Sequence, residues 1–204
     1  MKNTKIIICG TGRCGTKSLQ ILLGSCKNSI ATHEFSPVLD WDFNEEQFKA
    51  RLNHFKGINT KYYSDTGAWY LNYLERFIKE IPDIKIVVLT RDRQKVIPSY
   101  IAKCNKHNFW NNSHTDGSIP HNDYDNAFPD YGNIPIEEAI SKFWDDYYIT
   151  VNKLVTKYPS NFIVIDVVIL NSIMQQHFIY NFLGIDVIDR ICLDHIKENR
   201  ILNL

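Results

Sequence analysis

Residues 5–18 read KIIICGTGRCGTKS, an apolar run followed at once by three glycines within six positions. Nothing else in the chain limits the possible folds as strongly. An apolar run without polar alternation fits a strand covered on both faces, as in a parallel sheet. Glycines then let the backbone turn sharply and approach a ligand closely. Leu19, Leu22 and Leu23 follow at helical spacing, so strand, glycine loop and amphipathic helix are expected in that order.

The alternation continues along the chain. Strands are expected near 29–33, 58–64, 84–90 and 161–168, with helices near 44–55, 67–80, 93–105, 135–157 and 170–183. Asn44 suits an N-cap, Pro82 and Pro159 stop helices, and Gly184 ends the last long one. Such a pattern predicts an α/β fold, a P-loop-type parallel sheet of about four to five strands with helices on both faces. With 204 residues, 44% of them hydrophobic, the chain suffices for a single domain over 1–204. Periodicity vanishes over 107–133, which is too long for a plain connector and is expected to be a lid or acceptor-binding loop.

Charge and cysteine usage narrow the class. The 23 basic and 23 acidic residues cancel, so nothing points to a nucleic-acid or membrane-surface partner, and any anion site must be local. No apolar run approaches the roughly 20 residues of a membrane span, and MKNTK leads straight into the first strand, so a cytoplasmic protein without signal peptide is expected. Cysteines at 9, 14, 26, 104 and 192 form no C-x-x-C pair and read as reduced thiols. Cys14 sits in the loop just before a helix, where the dipole would lower its pKa.

The loop itself departs from the nucleotide-binding pattern G-x-x-x-x-G-K-[ST]. Gly10 and Gly15 have its spacing, but Thr16 intervenes before Lys17, and Arg13 lies inside the loop. Backbone N–H groups at a helix start make an anion cradle reinforced by the helix dipole. An internal arginine adds fixed charge and a forked donor, so the loop suits an anion neutralised by protein rather than by magnesium.

GTGRCGTKSL resembles the 5′-phosphosulfate loop of sulfotransferases that use 3′-phosphoadenosine 5′-phosphosulfate (PAPS). In that family a basic residue precedes a small residue, glycine and threonine, as Arg13, Cys14, Gly15 and Thr16 do here. The family's second Thr or Ser is replaced by Lys17, which adds a positive charge. RDRQKVIPSY, after the apolar run IKIVVLT, resembles the 3′-phosphate motif, with Arg91 at a strand end and Ser99 eight residues on. The resemblance implies PAPS as co-substrate, no required metal, and a binding set of Gly12, Arg13, Cys14, Gly15, Thr16, Lys17, Ser18, Arg91 and Ser99. The family's C-terminal glycine-rich basic motif is missing, and the tail offers only Lys197 and Arg200.

Transfer of a sulfuryl group to a hydroxyl or amine would need donors for the leaving phosphate, for which Arg13 and Lys17 are candidates. It would also need a general base. By position, His33 and Glu34 stand where a strand should end on the same sheet edge as the loop, and Asp65 is the second choice. Asp166 could pass for a magnesium-holding aspartate but is expected to cap a helix. His107, His114 and His121, seven residues apart, lack the tight pairing of a metal site, and no metal is expected. Trp110, Tyr124, Phe128 and Tyr131 could stack on an acceptor or anchor the loop. Two alternatives stay open, a P-loop kinase of small molecules and a non-catalytic nucleotide-binding module. The acceptor could be a small molecule, glycan or lipid, and the oligomeric state leaves no mark in the sequence.

Overall fold

The computed structural model describes residues 3–104, 107–111, 124, 126–194 and 196. Its strands are β1 (Thr4–Cys9), β2 (Ser29–Ala31), β3 (Tyr62–Thr66), β4 (Lys85–Thr90) and β5 (Phe162–Asp166). Its α-helices are α1 (Thr16–Ser25), α2 (Glu45–Gly57), α3 (Leu74–Glu80), α4 (Arg93–Cys104), α5 (Ile136–Lys157) and α6 (Ile173–Leu183). All five strands pair in parallel in the order β2-β3-β1-β4-β5, which is the expected α/β architecture.

The apolar run of β1 is the centre of this sheet, and every residue in it is buried. Its side chains alternate between two cores. Ile6 and Ile8 pack with Leu19, Leu22 and Leu23 of α1 and with Ile179 and Leu183 of α6. Ile7 and Cys9 face the opposite layer, with Phe48 and Phe55 of α2, Phe77 of α3 and Phe143 of α5. Each large apolar side chain so buried contributes about 1.5–3 kcal/mol. Because β3 and β4 flank β1 on opposite sides, the order of connections reverses at β1. The crevice beyond its carboxyl end is where α/β sheets bind ligands.

Three expected elements differ. The helix foreseen over 67–80 is a 3₁₀ segment, Ala68–Tyr73, followed by α3. Trp69, Tyr70, Leu71, Tyr73 and Leu74 are all buried, and Asn72 is the one exposed residue from Ala68 to Leu74. The strand foreseen over 58–64 begins four residues later and ends two later, so Asp65 lies inside β3 rather than beyond it. The last long helix divides at Ser172 into a 3₁₀ segment, Val167–Asn171, and α6. Asp166 accepts the Val168 N–H (2.9 Å) as the cap of that segment, its expected role, and Asn44 caps α2 by accepting from Glu46 and Gln47. Among the described residues no helix is long and apolar enough to cross a membrane.

Candidate functional site

Between β1 and α1 the glycine loop turns through left-handed backbone at Gly12 (φ 83°), Arg13 (φ 54°) and Gly15 (φ 87°). Gly12 is required by packing as well as conformation, since a Cβ there would lie 2.1 Å from the Tyr100 hydroxyl. That hydroxyl, carried by α4, donates to the Thr11 carbonyl. Helix α5 holds the other side of the loop. Gly10 N–H donates to Tyr147 Oη (3.0 Å), and the Tyr148 hydroxyl donates to Leu89 O (2.8 Å) at the end of β4. Trp144 Nε1 donates to the Arg91 carbonyl (3.2 Å).

The start of α1 is an electropositive end without a complement of its own. Gly15 provides no side-chain cap, and the first turn holds no acid but does hold Lys17. Ser18 is buried, lines the cavity, and its hydroxyl has no hydrogen-bond partner among the described residues. Arg13 Nε donates to Ser99 Oγ (3.0 Å), and Arg91 Nη1 donates to the Arg13 carbonyl (2.8 Å). Two motifs that are remote in sequence thus converge on one loop. Orphaned hydroxyl, uncapped helix end and clustered guanidinium groups together fit an anion.

These groups line a cavity of about 380 Å³. His33 and Glu34 line the same cavity, with His33 next to the α1 start. Thr32 and Glu34 continue the pairing of β2 by donating to Ser64 O and Thr66 O, and this carries both residues to the loop's edge of the sheet. His33 Nε2 lies 3.3 Å from Thr16 Oγ1, while its Nδ1 is 3.7 Å from Glu34 Oε2. Tyr124 donates to that same carboxylate oxygen (2.9 Å). Burial lowers the His33 pKa below its ordinary 6.5, and Lys17 adds to the lowering, while Glu34 and Asp65 oppose it. The imidazole is therefore neutral near pH 7 and able to accept a proton.

Gly12, Arg13, Gly15, Thr16, Lys17, Ser18 and Arg91 all line the cavity, and Ser99 reaches it through Arg13. Cys14 differs, because its thiol is fully buried in the core beside Leu19. Burial pushes its pKa up to about 12, the reverse of the lowering expected from the helix dipole, so Cys14 could contribute only backbone to a ligand. Asp65 is 0% exposed and its carboxylate is taken by Arg51, Tyr70 and Thr32. It does not reach the cavity where a base is needed.

Of the four aromatics singled out in 107–133, Tyr124 and Phe128 line the cavity. Trp110 is buried in the core and Tyr131 donates to Asp146 Oδ2 (3.0 Å), so these two anchor the segment. His107 packs against Phe109; His114, His121, Lys197 and Arg200 lie outside the described residues. No group of three potential metal ligands occurs among the described residues. Sequence reasoning missed Tyr100, Lys103 and Phe109, which also line the cavity. Lys103 stands one helical turn after Ser99, a spacing that could have found it. The grip of Tyr147 and Trp144 on the loop left no signal beyond ordinary amphipathic periodicity.

A glycine loop and uncapped helix start at the switch point of a parallel sheet, sharing one cavity with a histidine and a carboxylate, place this chain among α/β proteins with a ligand crevice at the carboxyl edge of the sheet. The chain belongs to the sulfotransferase domain family, whose pattern it matches over residues 5–168. It is a transferase by family. Its fold is similar to that of a sulfotransferase from Alicyclobacillus acidocaldarius, at a TM-score of 0.60 and 14% identity over 98% of this chain and 88% of that one. It is also similar to the sulfotransferase domain from the curacin biosynthetic pathway (TM-score 0.57, 13% identity, 91% and 75% covered). A sulfotransferase from Mycobacterium tuberculosis is similar at a TM-score of 0.58 and 13% identity, with 91% of this chain and 68% of that one covered. No curated protein matches the sequence.

Proposed function

We propose that the protein transfers a sulfuryl group from PAPS to a hydroxyl or amine acceptor by in-line attack, without a metal. The observation that carries this reading is that one cavity is lined by residues of the glycine loop, by Arg91 and by His33. The phosphosulfate lies against the α1 start, with the loop amides, Arg13, Lys17 and the Ser18 hydroxyl as donors. Arg91 and Ser99 take the 3′-phosphate. Fixed guanidinium and ammonium charges supply the neutralisation that magnesium supplies in a kinase.

His33 serves as general base. Glu34 beside Nδ1 favours the tautomer with its proton there, leaving Nε2 to accept the acceptor's proton. As that proton moves to Nε2, the acceptor oxygen or nitrogen bonds to sulfur and the opposite S–O bond to the 5′-phosphate breaks. Adenosine 3′,5′-bisphosphate leaves with the bonding pair. Phe109, Tyr124 and Phe128 give the acceptor side an apolar wall, which suits a phenol, sugar or lipid alcohol. The five free cysteines fit a cytoplasmic setting.

Isothermal titration of adenosine 3′,5′-bisphosphate against ATP-magnesium tests the reading. Metal-independent binding of the bisphosphate that is lost in Arg91→Ala is the expected result. Preference for ATP-magnesium would replace it with a kinase. Bisphosphate binding without release of product from PAPS, across a panel of phenols, sugars and alkylamines, would leave only a binding module.

A further inference from the structure

Behind the turn that carries His33 and Glu34 lies a buried ion pair that touches neither the cavity nor its ligand groups. Arg51, from α2, is 4% exposed and its Nη1 donates to Asp65 Oδ2 of β3 (2.9 Å) and to the Tyr70 hydroxyl (2.6 Å). Its Nη2 donates to the carbonyls of Phe35 (2.7 Å) and Pro37. Asp65 completes the enclosure from the other side. Its Oδ1 accepts from the Thr32 hydroxyl (2.7 Å) and from Phe35 N–H (3.4 Å).

The residue before His33 and the residue after Glu34 are therefore tied to the same ion pair. A second contact from α2 strengthens the hold, for His54, one turn after Arg51, stacks on the Phe35 ring at 4.0 Å. The Arg51 guanidinium lies 5.0 Å from the centre of that ring. Glu34 itself sits in left-handed backbone (φ 56°), a conformation that a non-glycine residue keeps only when its surroundings impose it.

A buried ion pair is a poor source of net stability, because desolvation offsets most of its attraction, and apolar replacement of both partners is commonly tolerated. Direction is what this pair supplies. We propose that Arg51 and Asp65 are positioning residues that clamp the 32–37 turn and so hold His33 Nε2 in place beside Thr16 at the α1 start. The proposal rests on His33 as the base in sulfuryl transfer. It also gives Asp65 a role that its position inside β3 allows.

Two variants test it in the full chain. Thr32→Val removes one bond of the clamp at a half-buried site, and the paired change Arg51→Met with Asp65→Leu removes the clamp without leaving a lone buried charge. Product release from PAPS is measured with the same acceptor panel, alongside titration with adenosine 3′,5′-bisphosphate. The expected result is a fall in kcat of about tenfold for Thr32→Val and about 100-fold for the pair, since small misplacement of a reacting group costs that much. The dissociation constant of the bisphosphate should hold, because the α1 start, Arg91 and Ser99 are untouched. Unchanged kcat in either folded variant, or binding lost in step with kcat, overturns the clamp. Failure of the wild-type protein to bind the bisphosphate or consume PAPS overturns the functional reading and the clamp with it, and is seen before any variant is compared.

Discussion

Arg13 Nε and Ser99 Oγ meet at 3.0 Å, which joins the glycine loop to α4 across 86 residues of sequence. Arg91 completes the triangle by donating to the Arg13 carbonyl. The glycine loop, the end of β4 and α4 are thus one hydrogen-bonded unit.

Removing either corner of the triangle should disturb the other. Arg91→Ala is expected to weaken adenosine 3′,5′-bisphosphate binding about 10–100-fold, as the loss of charge-assisted bonds commonly does. Ser99→Ala should cost less alone. In the double variant the losses should fall short of additivity by about 1 kcal/mol, a coupling typical of groups in one network. Titration of all four proteins checks this, and strict additivity would dissolve the triangle.

Gly12→Ala should destabilise the fold by about 3 kcal/mol, from left-handed backbone and from overlap with Tyr100. The nearest atom to the added carbon is the Tyr100 hydroxyl at 2.1 Å, and the next is Cζ at 3.1 Å. Adding Tyr100→Phe to Gly12→Ala should therefore recover part of the loss, although Tyr100→Phe alone costs stability by stranding the Thr11 carbonyl. Urea unfolding midpoints of the three variants decide the matter.

The acid side of the pH profile should report His33. Its pKa is lowered, so the base is unprotonated above that value and activity is lost as pH falls through it. The midpoint of kcat/KM is expected below 6.5. Glu34 pulls the pKa up and Lys17 pushes it down, so Glu34→Gln should move the acid limb to lower pH and Lys17→Met to higher pH. Shifts of the same sign in both would exclude His33 as the titrating group.

Thiol chemistry should separate Cys14 from any catalytic role. Cys9, Cys14, Cys26 and Cys104 are buried, and only Cys192 is half-exposed. Ellman's reagent should label Cys192 quickly in the native protein and the other four only on unfolding, and Cys14→Ala should keep its activity.

Much of this molecule was legible from local pattern. The apolar run of β1, the leucines of α1 and the cap at Asn44 each announce their element without help from distant residues. So do Arg13, Arg91 and Ser99, whose spacing follows strand ends. Tertiary burial was not legible. Asp65 looked available because it follows an expected strand, yet the sheet extends through it and Arg51, 14 residues earlier, claims its charge. Cys14 looked activated by a helix start, but its side chain turns into the apolar core, where burial outweighs the dipole. The segment over 68–73 takes 3₁₀ rather than α geometry, with every residue but Asn72 buried, and nothing in its local pattern announces that.

The order of the sheet has a consequence for how the cavity is supported. The glycine loop and Arg91 follow β1 and β4 at the middle, where every substitution is felt by neighbours on both faces. The turn with His33 and Glu34 follows β2, an outer strand of three residues paired on one side only. The two parts of the cavity therefore differ in what supports them: the glycine loop rests on the centre of the sheet, whereas the 32–37 turn at its margin depends on side chains of α2 and β3 packed behind it.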